Sequence, residues 1–305
     1  MLTPEQIAAF NRDGFLLVED ALTPPQLKAL RRATEELVQR SKAIEASDDV
    51  YDIARGHCAT RPRLNRIKLP HLHHPAYSDL IRGERMVSIL RALLGTNVRL
   101  HTSKLNTKPP GGGVAIEWHQ DWAFYPHTND DLLALGIMLE DVTESNGPLK
   151  VIPGSHRGPV LSHFRDGVFC GAIDPKDPQF DITSAVTLTG RAGSMSIHHV
   201  RTLHGSAANH SDRARPMLFY ECGAADAWPI NGNSSTYTGL SQQAFWGELS
   251  ERMICGKQPR TARLESVPVV MPLPPAPDSA SIFKVQSSGN AASAFSGHRD
   301  DKTQF

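Results

Sequence analysis

The 305-residue sequence lacks the features that would place a protein in a membrane or on a polyanionic surface. It has no run of about 18 apolar residues, the length that a membrane-spanning helix requires. Its 32 basic and 32 acidic residues cancel, whereas nucleic-acid and anionic membrane surfaces attract a basic excess. We therefore expect neither a membrane nor a nucleic acid as partner.

Paired cysteines and a hydrolase motif are also missing. The four cysteines lie far apart without a CxxC pair, so we interpret them as reduced thiols. The first residues lack the basic and apolar stretches of a signal peptide, which leads us to expect a cytoplasmic protein. The zinc-protease pattern HExxH does not occur either, and this disfavours a hydrolase.

What is present is the composition of a globular enzyme, with 40% hydrophobic and 21% charged residues. We expect a single domain over residues 1–265, made of a helical front at 1–95 and a barrel at about 98–225. Residues 266–305 are rich in Pro, Ser and Ala without periodicity. We expect this tail to be extended or disordered and assign it no function.

Helix signals dominate the first 95 residues. Thr3–Gln6 and Thr23–Gln26 are capping boxes with proline in the first turn. A short apolar run at 14–18 between them favours a strand. The amphipathic segment 79–94 predicts a further helix that ends at Gly95.

Between residues 98 and 222 the pattern changes to short apolar runs separated by Gly, Pro, Asn and Asp. This pattern is typical of a strand-rich body. The candidate strands are Val98–Leu105, Ala115–His119, Leu133–Leu139, Leu149–Ile152, Ala185–Thr189, Ser194–His199 and Pro216–Cys222. Asn146-Gly147 is a strong turn signal between two of them.

The densest chemical signal is the run Trp118-His119-Gln120-Asp121-Trp122. Positions two apart in a strand point to the same face, so His119 and Asp121 can converge on one metal ion. His204, just after another candidate strand, is the best candidate for a third ligand. Two histidines and one carboxylate on one side of an octahedral ion point to non-haem Fe(II). Taken alone, an HxD pair also fits a solvated loop.

Arg215 opens an apolar strand eleven positions after His204. An unpaired guanidinium is costly to bury, but its planar fork suits the capture of a carboxylate. A surface arginine at a strand start is an equally good interpretation. The nearby Arg213 could also be mistaken for the carboxylate-binding residue.

Together these segments resemble the phytanoyl-CoA dioxygenase family of Fe(II)- and 2-oxoglutarate-dependent oxygenases. The similarity covers residues 3–250. The motifs that carry it are Phe10–Val18, Asn106–Pro110, His119, Glu140–Val142, Asn146–Leu149, Ile152–His156 and His204–Ser206. The resemblance implies a mainly β fold with flanking helices, in which a double-stranded β-helix (a cupin-like jelly-roll barrel) holds the metal at its mouth.

The resemblance also implies roles for individual residues. His119, Asp121 and His204 would be the catalytic iron ligands, and O2 would react at the iron. Related halogenases replace the carboxylate ligand with a small residue, so the presence of Asp121 favours hydroxylation. His198 and His199 precede the third ligand and could be mistaken for it, although structural duty is the better interpretation of His199.

Arg215 would bind the distal carboxylate of the co-substrate 2-oxoglutarate, with Ser206 as a hydrogen-bond partner. Gln120 matches the family's HQD form and would touch the co-substrate or order the site. Lys108 is a further candidate for the co-substrate or an anionic substrate, as is the basic group at 61–68, although solvated surface charge explains both as well. Acid should strip the metal, because ligand histidines must be neutral.

The substrate is not readable in the sequence. Trp122, Phe124 and Tyr125 follow the HxD pair and would form a wall for a small or medium organic molecule, or else pack in the core. Hydroxylation of an unactivated C–H bond, with release of succinate and CO2, is the expected reaction. Desaturation, cyclisation, epimerisation or a non-catalytic ligand-binding barrel are the alternatives. A metal cluster at His71, His73 and His74 is disfavoured, and we expect a monomer or homodimer.

Overall fold

The computed structural model describes residues 1–111, 114–230, 242–270 and 282–295, with only the backbone described at 242–246. The expected loop residues Gly112 and Gly113 lie outside the described residues, as do 271–281 and 296–305 of the expected tail. The helices are α1 (Pro4–Asp13), α2 (Pro24–Arg40), α3 (Pro70–His73), α4 (Pro75–Arg82), α5 (Glu84–Leu94), α6 (Gln242–Glu251) and α7 (Ile282–Ser288).

The strands confirm the expected β-rich body, since each of the seven candidate segments overlaps one. They are β1 (Phe15–Val18), β2 (Tyr51–Ile53), β3 (Leu64–Lys68), β4 (Val98–Lys108), β5 (Ile116–His119), β6 (Leu132–Met138), β7 (Leu149–Val151), β8 (Phe164–Arg165), β9 (Val168–Phe169), β10 (Val186–Leu188), β11 (Met195–His199), β12 (His204–Ser206), β13 (Arg215–Ala224) and β14 (Met253–Cys255).

Both capping boxes form at the helix starts. The Thr3 hydroxyl accepts from the Gln6 backbone N–H at 3.2 Å, and the Gln6 side chain accepts from the Thr3 N–H at 2.9 Å. Thr23 and Gln26 repeat the arrangement at α2. Gly14 ends α1 with φ of 79° and packs so closely that an added Cβ would lie 2.4 Å from the His156 ring. Only glycine combines that left-handed conformation with that approach.

Two sheets face each other and form the expected barrel. The larger sheet has the order β1-β11-β6-β13-β4-β3-β2, with β14 also paired to β4, and the smaller sheet has the order β10-β7-β12-β5. All of these pairings are antiparallel. The mainly β fold with flanking helices is therefore a double-stranded β-helix, as the family resemblance implies.

The helical front covers the outer face of the larger sheet. Leu30 and Leu37 of α2 belong to one buried apolar cluster with Leu218 and Tyr220 of β13. Because side chains alternate along a strand, the other face of β13 is turned towards the smaller sheet. The interior between the sheets holds both polar and apolar side chains, and the site lies there.

Two expectations are wrong. The segment 79–94 is not one helix: Gly83, with ψ of 149°, separates α4 from α5. The C-terminal tail is not extended throughout, because Ile282–Ser288 is helical and buries Phe283 and Val285. No helix among the described residues is long and apolar enough to cross a bilayer.

Candidate active site

The three expected metal ligands converge between the two sheets. His119 ends β5, His204 begins β12, and the two residues are direct partners in the antiparallel ladder. Asp121 lies in a short 3-10 turn after β5 and not in the strand. Its two carboxylate oxygens are each 3.8 Å from one imidazole Nε2. One ligand atom from each residue lies within 4.8 Å of the others, and all three residues are buried.

Backbone carbonyls orient both imidazoles. The His119 Nδ1 lies 2.7 Å from the Glu117 carbonyl oxygen, and the His204 Nδ1 lies 2.8 Å from that of Thr202. Since a carbonyl only accepts, Nδ1 carries the proton and Nε2 keeps its lone pair for the site. Burial lowers the pKa of His119 to about 4 and that of His204 well below its ordinary value. Both rings are therefore neutral near pH 7, as metal ligation requires.

Asp121 supplies the charge of this group. Its burial alone would raise the pKa, but Lys104 and the neighbouring imidazoles outweigh burial and hold the pKa well below its usual value. Two neutral imidazoles and one carboxylate on one side of a point form the donor set that suits Fe(II). Within the described parts of the chain, this is the one group of three or more His, Cys, Asp or Glu with such spacing.

A third histidine lies beside the three proposed ligands. The His198 Nε2 is 3.4 Å from an Asp121 oxygen, and the residue lines the same cavity. His199 points the other way, with its ring packed 5.2 Å from that of His156 and 6.5 Å from that of Phe10. The two histidines are adjacent in the sequence. Because side chains alternate along β11, His198 faces the cavity and His199 faces the opposite side of the sheet.

A cavity of about 510 Å³, counted to its open mouth, extends from these residues between the sheets. Arg215 lies at one side of it and is only 3% exposed. Its side chain donates to the Gly147 carbonyl at 2.9 Å, and no carboxylate among the described residues is within ion-pair distance of it. Burial lowers its pKa to about 10, so it stays charged at neutral pH.

Backbone carbonyls of the Asn146-Gly147 turn, and not an acidic side chain among the described residues, hold the Arg215 guanidinium. Gly147 adopts φ of 76°, and an added Cβ would lie 2.5 Å from the Ala207 carbonyl oxygen. The turn can therefore pack against the strand and present its carbonyls to the guanidinium. These carbonyls solvate the charge but do not neutralise it, which leaves a buried cation suited to a carboxylate ligand.

The remaining candidate residues have different surroundings. Ser206 lines the cavity together with Arg215. Gln120 is fully buried and its side chain bonds to backbone groups, accepting from Leu161 N–H at 2.9 Å and donating to Arg201 at 2.8 Å. Lys108 donates to the Ser206 and Ala207 carbonyls. Both side chains therefore hold the strands and loops around the site, and neither lines the cavity.

The three aromatic residues after Asp121 do not line the cavity either. Trp122 is buried in a separate apolar cluster. Phe124 lies edge-on to the His119 ring at 5.8 Å. Tyr125 packs on His101 at 4.6 Å, and burial together with nearby carboxylates raises its pKa well above the usual value. Of the two interpretations that the sequence leaves open, packing beside the site is the one that the geometry favours.

Three cavity residues are harder to find from the sequence. Lys104 and Asn106 are two apart on β4 and both face inward, and Arg66 of β3 donates to the Asn106 side chain at 3.1 Å. Lys104 forms an ion pair with Glu221. The period of two along β4 is visible in the sequence, but which face is inner depends on pairing with β3 and β13. The histidines at 71, 73 and 74 do not join a metal-binding group with any other residue that the structure describes.

Known proteins are similar to this chain in sequence and in fold. The family model for phytanoyl-CoA dioxygenase (PhyH) matches residues 10–217. The chain is 36% identical over 274 residues to a probable alpha-ketoglutarate-dependent hypophosphite dioxygenase of Stutzerimonas stutzeri, covering 88% of this chain and 92% of the relative. It is 30% identical over 238 residues to an ectoine dioxygenase of Bordetella bronchiseptica, covering 72% of this chain and 74% of the relative.

A solved structure leads to the same conclusion. The crystal structure of EctD from S. alaskensis with 2-oxoglutarate and 5-hydroxyectoine aligns with a TM-score of 0.62 and 26% identity, over 74% of this chain and 77% of that one. The buried two-histidine, one-carboxylate group agrees with the cofactors of these relatives. The chain belongs to the phytanoyl-CoA dioxygenase family and is an Fe(II)- and 2-oxoglutarate-dependent dioxygenase.

Proposed function

We propose that this dioxygenase hydroxylates a small monoanionic substrate in the cavity between the two sheets. The observation that carries the proposal is that two cationic side chains, Arg66 and Lys104, line the cavity in addition to Arg215. Hypophosphite is the first anion to test, because the 36% identical relative is named a probable hypophosphite dioxygenase. A small organic acid with an accessible C–H bond is the organic counterpart of the same chemistry.

The assignment of residues follows from the geometry of the site. His119, Asp121 and His204 hold Fe(II), since they offer two neutral nitrogen donors and one anionic oxygen donor. Arg215 binds the distal carboxylate of 2-oxoglutarate with Ser206 beside it, since both line the cavity and the arginine has no acidic partner in the described parts of the chain. When bound, the iron and 2-oxoglutarate supply the oxidant from O2, with succinate and CO2 as co-products.

The charge of the cavity favours an anion. Arg66, Lys104 and Arg215 carry positive charge, and Asp121 and the Lys104 partner Glu221 carry negative charge. Fe(II) and dianionic 2-oxoglutarate cancel each other. With neutral histidines, one unit of positive charge remains in the partly buried site. A monoanion neutralises it, whereas a cationic substrate would be repelled.

The protein's own residues place the substrate and restrict water. Lys104 is held by Glu221 and lies 5.9 Å from the centre of the Phe219 ring, so its ammonium has little freedom. Arg66 is fixed by its bond to Asn106. Two restrained cations near the metal ligands can hold an oxyanion with its reactive bond towards the iron, and such positioning is the chief contribution of the protein.

Succinate release with a panel of anions tests the proposal. We expect hypophosphite to stimulate 2-oxoglutarate turnover and one atom of O2 to enter the product. Arg66→Met should raise KM for the anion about tenfold or more, because a charge-assisted contact is lost. The control Arg61→Met removes an exposed arginine of the same chain segment. Stimulation by neutral or cationic compounds alone would overturn the anionic substrate.

The nature of the product separates the alternatives. Desaturation, cyclisation and epimerisation release succinate without placing oxygen in the product. A non-catalytic barrel releases no succinate beyond the rate of free iron. Labelling with 18O2 followed by mass spectrometry of the product therefore distinguishes hydroxylation from each of them.

We also propose that residues 1–265 form one oxygenase domain, against which the C-terminal segment packs, in a monomer or homodimer located in the cytoplasm. The four cysteines are all free thiols, which fits a reducing compartment. Light scattering of the purified protein tests the oligomeric state. A larger assembly, or a disulfide found in the protein isolated from cells, would contradict the proposal.

A further inference from the structure

The C-terminal helix α7 is fastened to β5 by a buried glutamine. The side chain of Gln286 accepts from the Glu117 N–H at 2.9 Å and donates to the Gly171 carbonyl at 2.9 Å and the Glu117 carbonyl at 3.3 Å. Gln286 is 7% exposed, and β5 is an edge strand of the smaller sheet. The amide therefore satisfies backbone groups of β5 that no neighbouring strand pairs.

The segment after α7 extends this attachment along the same strand. The Glu117 carboxylate accepts from the Ala294 N–H at 2.9 Å. The Phe295 ring stacks on Trp118 at 6.2 Å with planes 11° apart. The Glu117 carbonyl that Gln286 contacts also accepts from the His119 Nδ1 at 2.7 Å. The C-terminal segment is thus seated directly outside the strand that carries an iron ligand.

The other end of α7 reaches the cavity. Ile282 lines the cavity together with Arg66 and the proposed iron ligands. Phe283 is 3% exposed, and the Arg66 guanidinium carbon lies 5.1 Å from the centre of its ring. A ring under a guanidinium both fixes the plane of the cation and shields it from water.

We propose that α7 forms one wall of the substrate site, in which Ile282 and Phe283 determine substrate specificity and Gln286 is the positioning residue that holds the wall on β5. Ile282 limits the size of the anion, and Phe283 sets the orientation of the Arg66 guanidinium that receives it. The inference rests on the proposed function only in taking this cavity as the substrate site. It assigns a role in substrate selection to a segment to which the sequence alone assigns no function.

Size selection is tested with two probes, hypophosphite and the larger monoanion methylphosphinate. Ile282→Ala should raise the ratio of kcat/KM for methylphosphinate to that for hypophosphite about tenfold, since a methyl group in an apolar pocket is worth that factor. Ile282→Phe should lower the ratio. A ratio within twofold of the wild-type value in both variants would overturn the role of Ile282.

Arg66 orientation is tested by Phe283→Leu, which keeps an apolar side chain and removes the ring. We expect KM for hypophosphite to rise about fivefold, because a cation–π contact of a shielded arginine is lost. An unchanged KM would overturn the role of Phe283.

The positioning role of Gln286 has a readout that needs neither iron nor substrate. In the metal-free protein, Gln286→Met should remove hydrogen-exchange protection from the Ala294 amide, whereas the control Ser288→Ala changes an exposed residue of the same helix and should preserve it. In the loaded enzyme, Gln286→Met should change uncoupled 2-oxoglutarate decay about threefold or more, because water gains access to the cavity. If Gln286→Met keeps wild-type hydrogen exchange at Ala294 and wild-type uncoupled 2-oxoglutarate decay, the proposal that α7 is a wall of the site is wrong.

These readouts separate the two proposals. If the wild type oxidises neither probe, the small-oxyanion substrate fails, while exchange and uncoupled decay of Gln286→Met still decide whether α7 is a wall of the site. If the wild type oxidises hypophosphite and the α7 variants match it in every readout, the wall fails and the proposed function stands.

Discussion

The two ends of the cavity solve opposite electrostatic problems. At the metal end, two buried imidazoles are kept neutral by burial and are aimed by the Glu117 and Thr202 carbonyls. At the other end, Arg215 is equally buried but remains charged, with backbone carbonyls as its partners. The first end needs a dication to use its donors, and the second needs an anion to neutralise its charge.

The difference shows how the chain divides the binding of two cofactors. The two neutral imidazoles cost little to bury without a metal, and Lys104 stabilises the buried Asp121 carboxylate, so the metal end can be preformed. A buried guanidinium is costly without a counter-ion, and the carbonyls of the Asn146-Gly147 turn only reduce that cost. Iron affinity should therefore depend on ligand identity, and 2-oxoglutarate affinity on a single charge. The predictions below test this contrast.

The largest effect should come from the metal end. Asp121→Ala removes the one anionic donor, so we expect bound iron to be lost and 2-oxoglutarate-dependent succinate formation to fall by on the order of 1000-fold or more. Iron content and succinate release of the purified protein measure it. The exposed Asp174→Ala is the matched control and should behave as the wild type. Normal turnover in Asp121→Ala would remove the proposed metal site.

The arginine end should respond in binding and not in iron content. Arg215→Met should raise KM for 2-oxoglutarate about 30- to 1000-fold, which corresponds to about 2–4 kcal/mol for the loss of one partner of a buried charged pair. Bound iron should stay at the wild-type level. Arg213→Met, two positions earlier and exposed, is the control. Equal KM values in the two variants would contradict the role of Arg215.

Arg215→Met also distinguishes the two ends of the cavity in the cofactor-free protein. Because Arg215 has no acidic partner among the described residues, replacing it with methionine should not lower the free energy of unfolding of the cofactor-free protein, and the relief of an unpaired buried charge should raise it. Urea unfolding measures it. A clear loss of stability would mean that the turn carbonyls compensate the charge fully.

How much of this arrangement the sequence predicts depends on how local the signal is. His119 and Asp121 are two positions apart, and His204 follows a strand, so their types and spacing indicate a metal site that the structure brings within 4.8 Å. The capping boxes at Thr3 and Thr23 are equally local and form as expected. Local patterns such as these do not depend on the rest of the fold.

The residues whose place in the site the sequence does not indicate depend on long-range pairing. Lys104 faces the cavity because β4 pairs with β13 and β3, and His198 lines the cavity because β11 lies between β1 and β6 in the larger sheet. Strand register decides which face is inner, and one residue of slip would reverse it. The helix α7 is only seven residues long, and its own Gln286 attaches it to a strand that is distant in sequence. Such a short helix has no periodicity by which the sequence could predict it.

The smallest effect should be the pH dependence that one histidine behind the metal end contributes to stability. His163 accepts from the Gln120 N–H at 2.8 Å through Nε2 and lies 2.8 Å from the Leu161 carbonyl through Nδ1, so it packs behind the HxD turn as a neutral ring. Burial lowers its pKa to about 3. The unfolded state binds the proton first, so this stability is present above an unfolded pKa of about 6.5 and is lost as the pH falls.

Between pH 7 and pH 5 this single group should cost up to about 2 kcal/mol of unfolding free energy. Urea unfolding of metal-free wild type and His163→Gln at both pH values measures it, with the exposed His210→Gln as control. The fall should be smaller in His163→Gln than in the wild type and the control. Arg215, with a pKa of about 10, does not titrate in this range, and an equal fall in all three proteins would show that acid does not act through His163.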